Sequence, residues 1–225
     1  DFSSFEEYFD KKGLFKQFVF ILEQNGIDLN NSTVASLASG TCALESLILK
    51  KYQGIKKMFC VEFSKHRIKE IAPRVLDHYK IDPNQIKLCL GSFYNLKIEN
   101  NSLDVVILCQ AFHHAEYPDK LLSEIRRVLK QEGKLVIIGE HYFHILEISK
   151  RVIKHFIKWI INYKEARTKS EFLPCWQYLF PPSKVKGDIH YSKSQYIRIF
   201  SNNSFKHKQY IFKDIKNQAF LLNHL

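Results

Sequence analysis

Residues 33–140 alternate short apolar stretches with helix-like segments, and this alternation constrains the fold more than any other feature of the chain. Strands separated by helices predict a parallel sheet with right-handed crossovers. The stretch 103–109 is nearly all apolar, as expected of a strand covered on both faces. In such a sheet the carboxyl ends of the strands face one crevice, where ligands bind. We therefore expect an α/β fold with its functional residues at the strand ends.

The pattern places individual elements along the chain. Strands are predicted at 33–37, 57–61, 86–90, 103–109, 134–139, 206–213 and 218–222, the last two as closing strands. Helices are predicted at 2–25, 44–52, 65–79 (with Pro73 bending or dividing it), 118–130, 145–163 and 193–200, while 167–192 is irregular.

Composition limits the classes of protein that need consideration. The chain has 225 residues, 45% of them hydrophobic, and no apolar run reaches the roughly 18 residues that span a bilayer. We expect no signal peptide in the acidic, aromatic segment 1–12. The five cysteines lack metal-type spacing, so no metal site is predicted, and their scatter favours a reducing, cytoplasmic location. The net charge of +11 leaves nucleic acid open as a partner, although no nucleic-acid motif accompanies it.

Two strand ends carry residues suited to a nucleoside ligand. The small-residue turn 39–42 follows the first strand, and such a turn lets the backbone approach a ligand and exposes amides at the next helix. Glu62 ends the second strand, 22 residues after Gly40, close to the usual offset for an acid that accepts ribose hydroxyls. Dinucleotide-binding dehydrogenases have the same spacing, so the spacing alone does not distinguish them from other proteins that bind a nucleoside.

Segments further along the chain distinguish the dehydrogenases from a second class of nucleoside-binding protein. Gly91-Ser92-Phe93 precedes Leu103-Asp104-Val105-Val106-Ile107, then come Gln110 to His114 and a helix, glycine turn and fifth strand through Ile137. This order resembles the class I S-adenosylmethionine-dependent methyltransferases over about half the chain, most closely the small-molecule branch similar to methyltransferase type 11. The Asp/Asn-Pro-Pro-Tyr/Phe motif of amide and exocyclic-amine methyltransferases is absent, because Cys109-Gln110-Ala111-Phe112 stands in its place.

The resemblance implies a Rossmann-like, mainly parallel sheet between helices, with antiparallel closing strands and a helical lid insertion. It implies S-adenosylmethionine as cofactor and S-adenosylhomocysteine as product. The cofactor-binding residues would be Ser36, Ala38, Ser39, Gly40 and Thr41 for the methionine part, Glu62 and Phe63 at the ribose, Ser92 and Phe93 at the adenine, and Cys109 and Gln110 beside the methionine part. The family's turn reads acid-x-Gly-x-Gly-x-Gly, but this chain has Ser36, Ala38, Gly40 and Cys42 at those positions. Its acid, which helps to hold the methionine amino group, is missing here.

Methyl transfer to a hydroxyl needs a group that removes the acceptor's proton, and a histidine near neutral pKa suits that task. The candidates are His113, His114, His141 and His190, with Glu140 and Tyr142 nearby in sequence. Each histidine also has a structural or solvent-facing interpretation.

The chain is predicted to be one domain (1–225), divided into an N-terminal helical extension (1–31), a cofactor-binding core (32–143), a lid or substrate region (144–192) and C-terminal closing elements (193–225). The basic amphipathic helix 145–163 could pack on the domain, form a dimer interface or make weak contact with a membrane surface. The expected partner is a small-molecule acceptor, such as a sugar or another hydroxyl-bearing intermediate. The alternatives are a non-catalytic binding or assembly protein on the same fold, an RNA methyltransferase and, less favoured, a dinucleotide oxidoreductase; the oligomeric state stays open.

Overall fold

A computed structural model describes residues 3–141, 153, 191–214 and 217–224, and within them seven strands form one sheet of order β3-β2-β1-β4-β5-β7-β6. The strands are β1 (Thr33–Leu37), β2 (Lys57–Glu62), β3 (Ile86–Leu90), β4 (Leu103–Cys109), β5 (Leu129–His141), β6 (Phe205–Phe212) and β7 (Asn217–His224). The helices are α1 (Ser3–Lys12), α2 (Leu14–Gln24), α3 (Ala43–Lys51), α4 (Ala72–His78), α5 (Pro118–Val128) and α6 (Lys193–Asn202).

The first five strands run parallel, whereas β7 pairs antiparallel with both β5 and β6. The second closing strand along the chain therefore lies inside the sheet, between β5 and β6. This topology confirms the predicted class, a mainly parallel sheet between helices with antiparallel closing strands. It also brings the carboxyl ends of β1, β2, β4 and β5 to one edge, where the predicted site residues lie.

The core is split by the sheet because neighbouring side chains of a strand point to opposite faces. Along β1, Val34 belongs to the cluster that includes residues of α2, α3 and α4, whereas Ala35 and Leu37 belong to the cluster that includes residues of α5 and α6. Ser36 follows the same alternation and lies in register between Cys60 of β2 and Ile107 of β4.

The elements differ most from the predicted ones in three places, and several other boundaries shift by one or two residues. The N-terminal helix is divided at Gly13, whose positive φ of 60° interrupts it. Residues 65–79 form a π-helical turn over Arg67–Ile71 followed by α4, so Pro73 lies in the first turn of a new helix, where its missing N–H is tolerated. The predicted glycine turn at Gly133 is a bulge within β5, since Leu129 already pairs with Leu103.

The predicted helix 145–163 falls outside the described residues apart from Ile153, as does the irregular segment up to residue 190. No helix in the described part of the chain has the length and apolar character needed to cross a bilayer.

Candidate active site

The turn after β1 keeps a glycine-type backbone although two of its three family glycines are replaced. Ala38, Gly40 and Cys42 all have positive φ, at 55°, 59° and 61°. A left-handed conformation is unusual for residues other than glycine and costs roughly 1–2 kcal/mol each. A Cβ added at Gly40 would meet no protein atom within 4 Å, so this backbone faces open space. The turn is therefore shaped for the close approach of a ligand.

Glu62 is buried at the end of β2 and is aimed at this turn. Its carboxylate accepts the Gly40 amide at 2.9 Å through Oε2 and the Ser64 amide at 2.8 Å through Oε1. Each carboxylate oxygen can accept a second hydrogen bond, so the group retains capacity for ribose hydroxyls. Gly40 and Glu62, which lie 22 residues apart in the sequence, are thus in direct contact.

Apolar side chains border Glu62 at the next strand. Leu90 lies in register with Glu62, and both Leu90 and the adjoining Phe63 are exposed, Phe63 by 80%. Exposed apolar groups next to an acid that can accept ribose hydroxyls suit the faces of a purine. Ser92 instead caps its own turn by accepting the Tyr94 amide at 3.2 Å, and Phe93 stacks edge-on against Tyr94.

The Ser36 hydroxyl is hydrogen-bonded to a neighbouring side chain. Its Oγ donates to Oε1 of Glu45, in the first turn of α3, at 2.5 Å. Glu45 is only 2% exposed, and its Oε2 has no hydrogen-bond partner among the described residues. Burial raises the pKa of Glu45 to about 7, and the negative charge of Glu62 adds to this effect, while the Ser36 hydrogen bond opposes it.

Helix α1 contacts Gln110, which directly follows β4. The Tyr8 hydroxyl donates to Oε1 of Gln110 at 2.7 Å, and Gln110 itself has a positive φ of 50°. Gly139 of β5 permits this arrangement, because an added Cβ would lie 2.5 Å from Leu14 Cδ2 and 2.7 Å from Gln110 Cγ. Cys109 is partly buried, and burial raises the pKa of its thiol well above the ordinary value.

The carboxyl ends of β4 and β5 carry a buried polar network centred on Glu140. Its carboxylate accepts the Phe112 amide at 3.1 Å and the Tyr196 hydroxyl at 2.7 Å, and it pairs with Nδ1 of His113 at 3.1 Å. Burial alone would raise the pKa of Glu140, but the hydrogen bonds and the charge of His113 outweigh it, so the pKa lies below its ordinary value. The network fixes the His113 ring through a carboxylate.

The predicted histidines come together in part. The His113 ring centroid lies 4.2 Å from that of His114 and 5.6 Å from that of His141. His113 is buried, whereas His114 and His141 are exposed. His190 lies outside the described residues.

Several residues of this region were not identified from the sequence. They are Tyr8, Glu45, Gly139 and Tyr196. Glu45 and Tyr196 lie within amphipathic helices, where a polar residue ordinarily indicates a solvated face, so their burial could not be predicted from the residue pattern.

Known proteins resemble part of this chain in sequence. Residues 36–137 match the family model of a methyltransferase domain. An uncharacterized protein of Methanocaldococcus jannaschii is 28% identical over 145 residues, a match that covers 59% of this chain and 63% of that relative's length. The chain thus spans less than two thirds of this relative.

Three solved structures illustrate the similarity of fold. A methyltransferase from Aquifex aeolicus superposes with a TM-score of 0.63 at 14% identity, covering 91% of this chain and 88% of that one. A Thermotoga maritima methyltransferase, described as a possible histamine N-methyltransferase, gives 0.60 at 17% identity, covering 99% and 96%. The geranyl diphosphate C-methyltransferase of Streptomyces coelicolor, solved with S-adenosylhomocysteine, gives 0.62 at 13% identity, covering 93% and 76%.

At these identities the solved structures support the fold alone, and the family match bears on residues 36–137. This part of the chain is similar to a methyltransferase domain, in agreement with the family, the cofactor and the enzyme class predicted from the sequence.

Proposed function

We propose that the protein transfers a methyl group from S-adenosylmethionine to a hydroxyl-bearing small molecule, with His113 as the general base. The observation that carries this proposal is the contact between Nδ1 of His113 and the buried carboxylate of Glu140 at the carboxyl ends of β4 and β5. These ends lie at the same edge of the sheet as the turn around Gly40, so base and cofactor residues share one crevice.

The residues at this edge fit the cofactor. The backbone of Gly40 faces open space, Glu62 has acceptor capacity for the ribose, and Phe63 and Leu90 offer apolar surface for the adenine. When bound, S-adenosylmethionine supplies an electrophilic methyl group on a sulfonium. The chain's own contribution is to hold the acceptor in line and to remove its proton.

Glu140 would act on His113 as a positioning residue. A carboxylate on Nδ1 favours the tautomer with the proton on that nitrogen, so proton acceptance falls to Nε2. It also stabilises the imidazolium that forms when the proton is taken up. The Phe112 amide and the Tyr196 hydroxyl hold Glu140 in place, so the orientation of His113 depends on β4, β5 and α6 together.

Two other functions stay in competition with this one. A non-catalytic binding protein is favoured by the altered turn, but the positive φ values of Ala38 and Cys42 indicate that the turn keeps a left-handed backbone of the kind that glycine adopts readily. RNA methylation is favoured by the net charge of +11. Both are outcomes of the following experiment.

The protein would be incubated with S-adenosylmethionine and a panel of hydroxyl-bearing metabolites, and S-adenosylhomocysteine formation would be measured. On the active acceptor, His113→Gln is expected to lower kcat by about 10²-fold or more, with S-adenosylhomocysteine affinity unchanged. His66→Gln is the control, because His66 is exposed and pairs with Glu70 one helical turn away. Full activity of His113→Gln would contradict the proposed base. Cofactor binding without turnover on any acceptor would support the binding protein, and salt-sensitive transfer to RNA would support RNA methylation.

A further inference from the structure

Glu45 is a buried acid that the proposed chemistry has not used. It belongs to α3, is 2% exposed, and has one oxygen bonded to Ser36 and the other without a partner among the described residues. Leaving a polar atom buried and unsatisfied costs about 1–3 kcal/mol, more for a charged group. A carboxylate kept in this state needs a reason beyond packing.

The charge that acts on Glu45 from β2 is also negative. Among the described residues, the groups that interact electrostatically with Glu45 include the carboxylate of Glu62 and the thiol of Cys60 on β2, and the thiol of Cys109 on β4; Cys42, at the start of α3, contacts Cys60. Burial raises the pKa of the Cys60 and Cys109 thiols well above the ordinary value, so they are neutral at neutral pH. Of Glu45 and the groups that interact with it, the charged ones are the two carboxylates: Glu62, which accepts the Gly40 amide, and Glu45, which accepts the Ser36 hydroxyl. Such a pair is stabilised by a cation.

The position of Glu45 indicates which cation it could bind. Ser36 lies near the carboxyl end of β1, just before the turn around Gly40, and the Ser36 hydroxyl donates a hydrogen bond to Glu45 directly. The short serine side chain leaves room for a longer acid arriving from α3, so the carboxylate is present at this end of β1 but is supplied by another element. The cofactor assigned to this crevice carries an α-ammonium group on its methionine part.

We propose that Glu45, oriented by Ser36, is the carboxylate that binds the α-ammonium group of the cofactor. The proposal rests on the cofactor assignment made above. It makes Glu45 and Ser36 one binding unit, in which neither residue is replaceable alone.

Binding calorimetry with two ligands tests this assignment. S-adenosylhomocysteine carries the ammonium group, whereas 5′-methylthioadenosine keeps the nucleoside but lacks the amino-acid part. Glu45→Gln is expected to weaken S-adenosylhomocysteine by about 10- to 100-fold, the range for a hydrogen bond to a charged group, and to change 5′-methylthioadenosine by less than about twofold. Glu132→Gln, on an exposed side chain, is the matched control and should change neither.

A second variant guards against misfolding of the first. Ser36→Asp combined with Glu45→Ala returns the carboxylate to β1 and is expected to recover most of the S-adenosylhomocysteine affinity that Glu45→Ala alone loses. The pH profile adds a readout that a purely structural acid would not give. Wild-type affinity for S-adenosylhomocysteine should rise as Glu45 ionises between pH 6 and 8, and that rise should be absent in Glu45→Gln.

The outcomes separate this proposal from the cofactor assignment. If wild type binds neither ligand, the cofactor assignment fails and this proposal with it. If wild type binds S-adenosylhomocysteine and Glu45→Gln binds it equally well, only the role of Glu45 is overturned. Equal weakening of both ligands would also overturn it, because the loss would then not depend on the ammonium group.

Discussion

Glu45→Gln is expected to stabilise the unliganded protein by an amount that grows as the pH rises from about 4.5 to about 7. Burial raises the pKa of Glu45 from 4.5 to about 7. In the unfolded chain the carboxyl ionises near its ordinary pKa, so the unfolded state loses its proton first as the pH rises. The free energy of unfolding is therefore unaffected below about pH 4.5, falls as the pH rises towards 7, and then levels off.

The size of the effect on the free energy of unfolding follows from the size of the pKa shift of Glu45. Raising a pKa from 4.5 to about 7 corresponds to about 3 kcal/mol at pH 8. Glutamine has nearly the shape of the protonated glutamate and can still accept the Ser36 hydroxyl, but it does not ionise. The stability of Glu45→Gln relative to wild type should therefore rise by about 3 kcal/mol between pH 4.5 and pH 8.

Urea unfolding followed by circular dichroism at pH 5, 6, 7 and 8 measures this difference. The comparison with wild type at each pH cancels the titration of all other groups. Glu132→Gln is the control, since the side chain of Glu132 is 93% exposed, and its difference from wild type should not vary with pH. A Glu45→Gln difference that is the same at pH 5 and pH 8 would refute the reasoning, because Glu45 would then ionise as easily in the folded protein as in the unfolded chain.

Two further variants and one control test the hydrogen-bond network around Glu140 and the turn after β1. Tyr196→Phe removes one of the hydrogen bonds to the buried Glu140 and should lower the free energy of unfolding by about 1–2 kcal/mol at pH 7, with less effect at low pH where the carboxylate is protonated. Because the pKa of Glu140 is lowered, the stability it contributes is present above its unfolded pKa and is lost as the pH falls. Ala38→Gly should raise stability by about 0.5–1 kcal/mol, since glycine relieves the left-handed backbone at a smaller entropic cost. Ala43→Gly, in the helical first turn of α3, should instead lose about 1 kcal/mol. Denaturant unfolding measures all three, and equal effects of the two glycine substitutions, or a Tyr196→Phe protein as stable as wild type, would contradict these expectations.

The parallel core of the fold could be predicted from the sequence because its strands are short apolar runs bounded by turns. β1, β3 and β4 begin and end at the predicted residues. The order of the closing strands could not be predicted, because placing β7 between β5 and β6 depends on pairing between residues more than 70 positions apart.

For the candidate site, the strand-end rule located Gly40, Glu62 and His113, since their positions follow from the strands alone. Glu45 could not be found this way. Its burial arises when α3 packs against the sheet and the N-terminal helices pack against α3, and a glutamate in a first helical turn ordinarily indicates a solvated end. Tyr196 reaches Glu140 across 56 residues of sequence, so its role also depends on tertiary packing.

Calorimetric titration with S-adenosylmethionine tests the central claim most directly, on wild type, Glu62→Ala, Gly40→Val and Gly26→Val. Gly26 has φ +60 and open space around its Cβ position, as Gly40 does, but it lies between α2 and β1, so it reproduces the backbone strain away from the crevice. We predict micromolar binding to wild type and to Gly26→Val, and at least tenfold weaker binding to Glu62→Ala and Gly40→Val. Absence of binding to the wild-type protein, or binding that Glu62→Ala and Gly40→Val leave unchanged, would contradict the assignment of this crevice as the cofactor site.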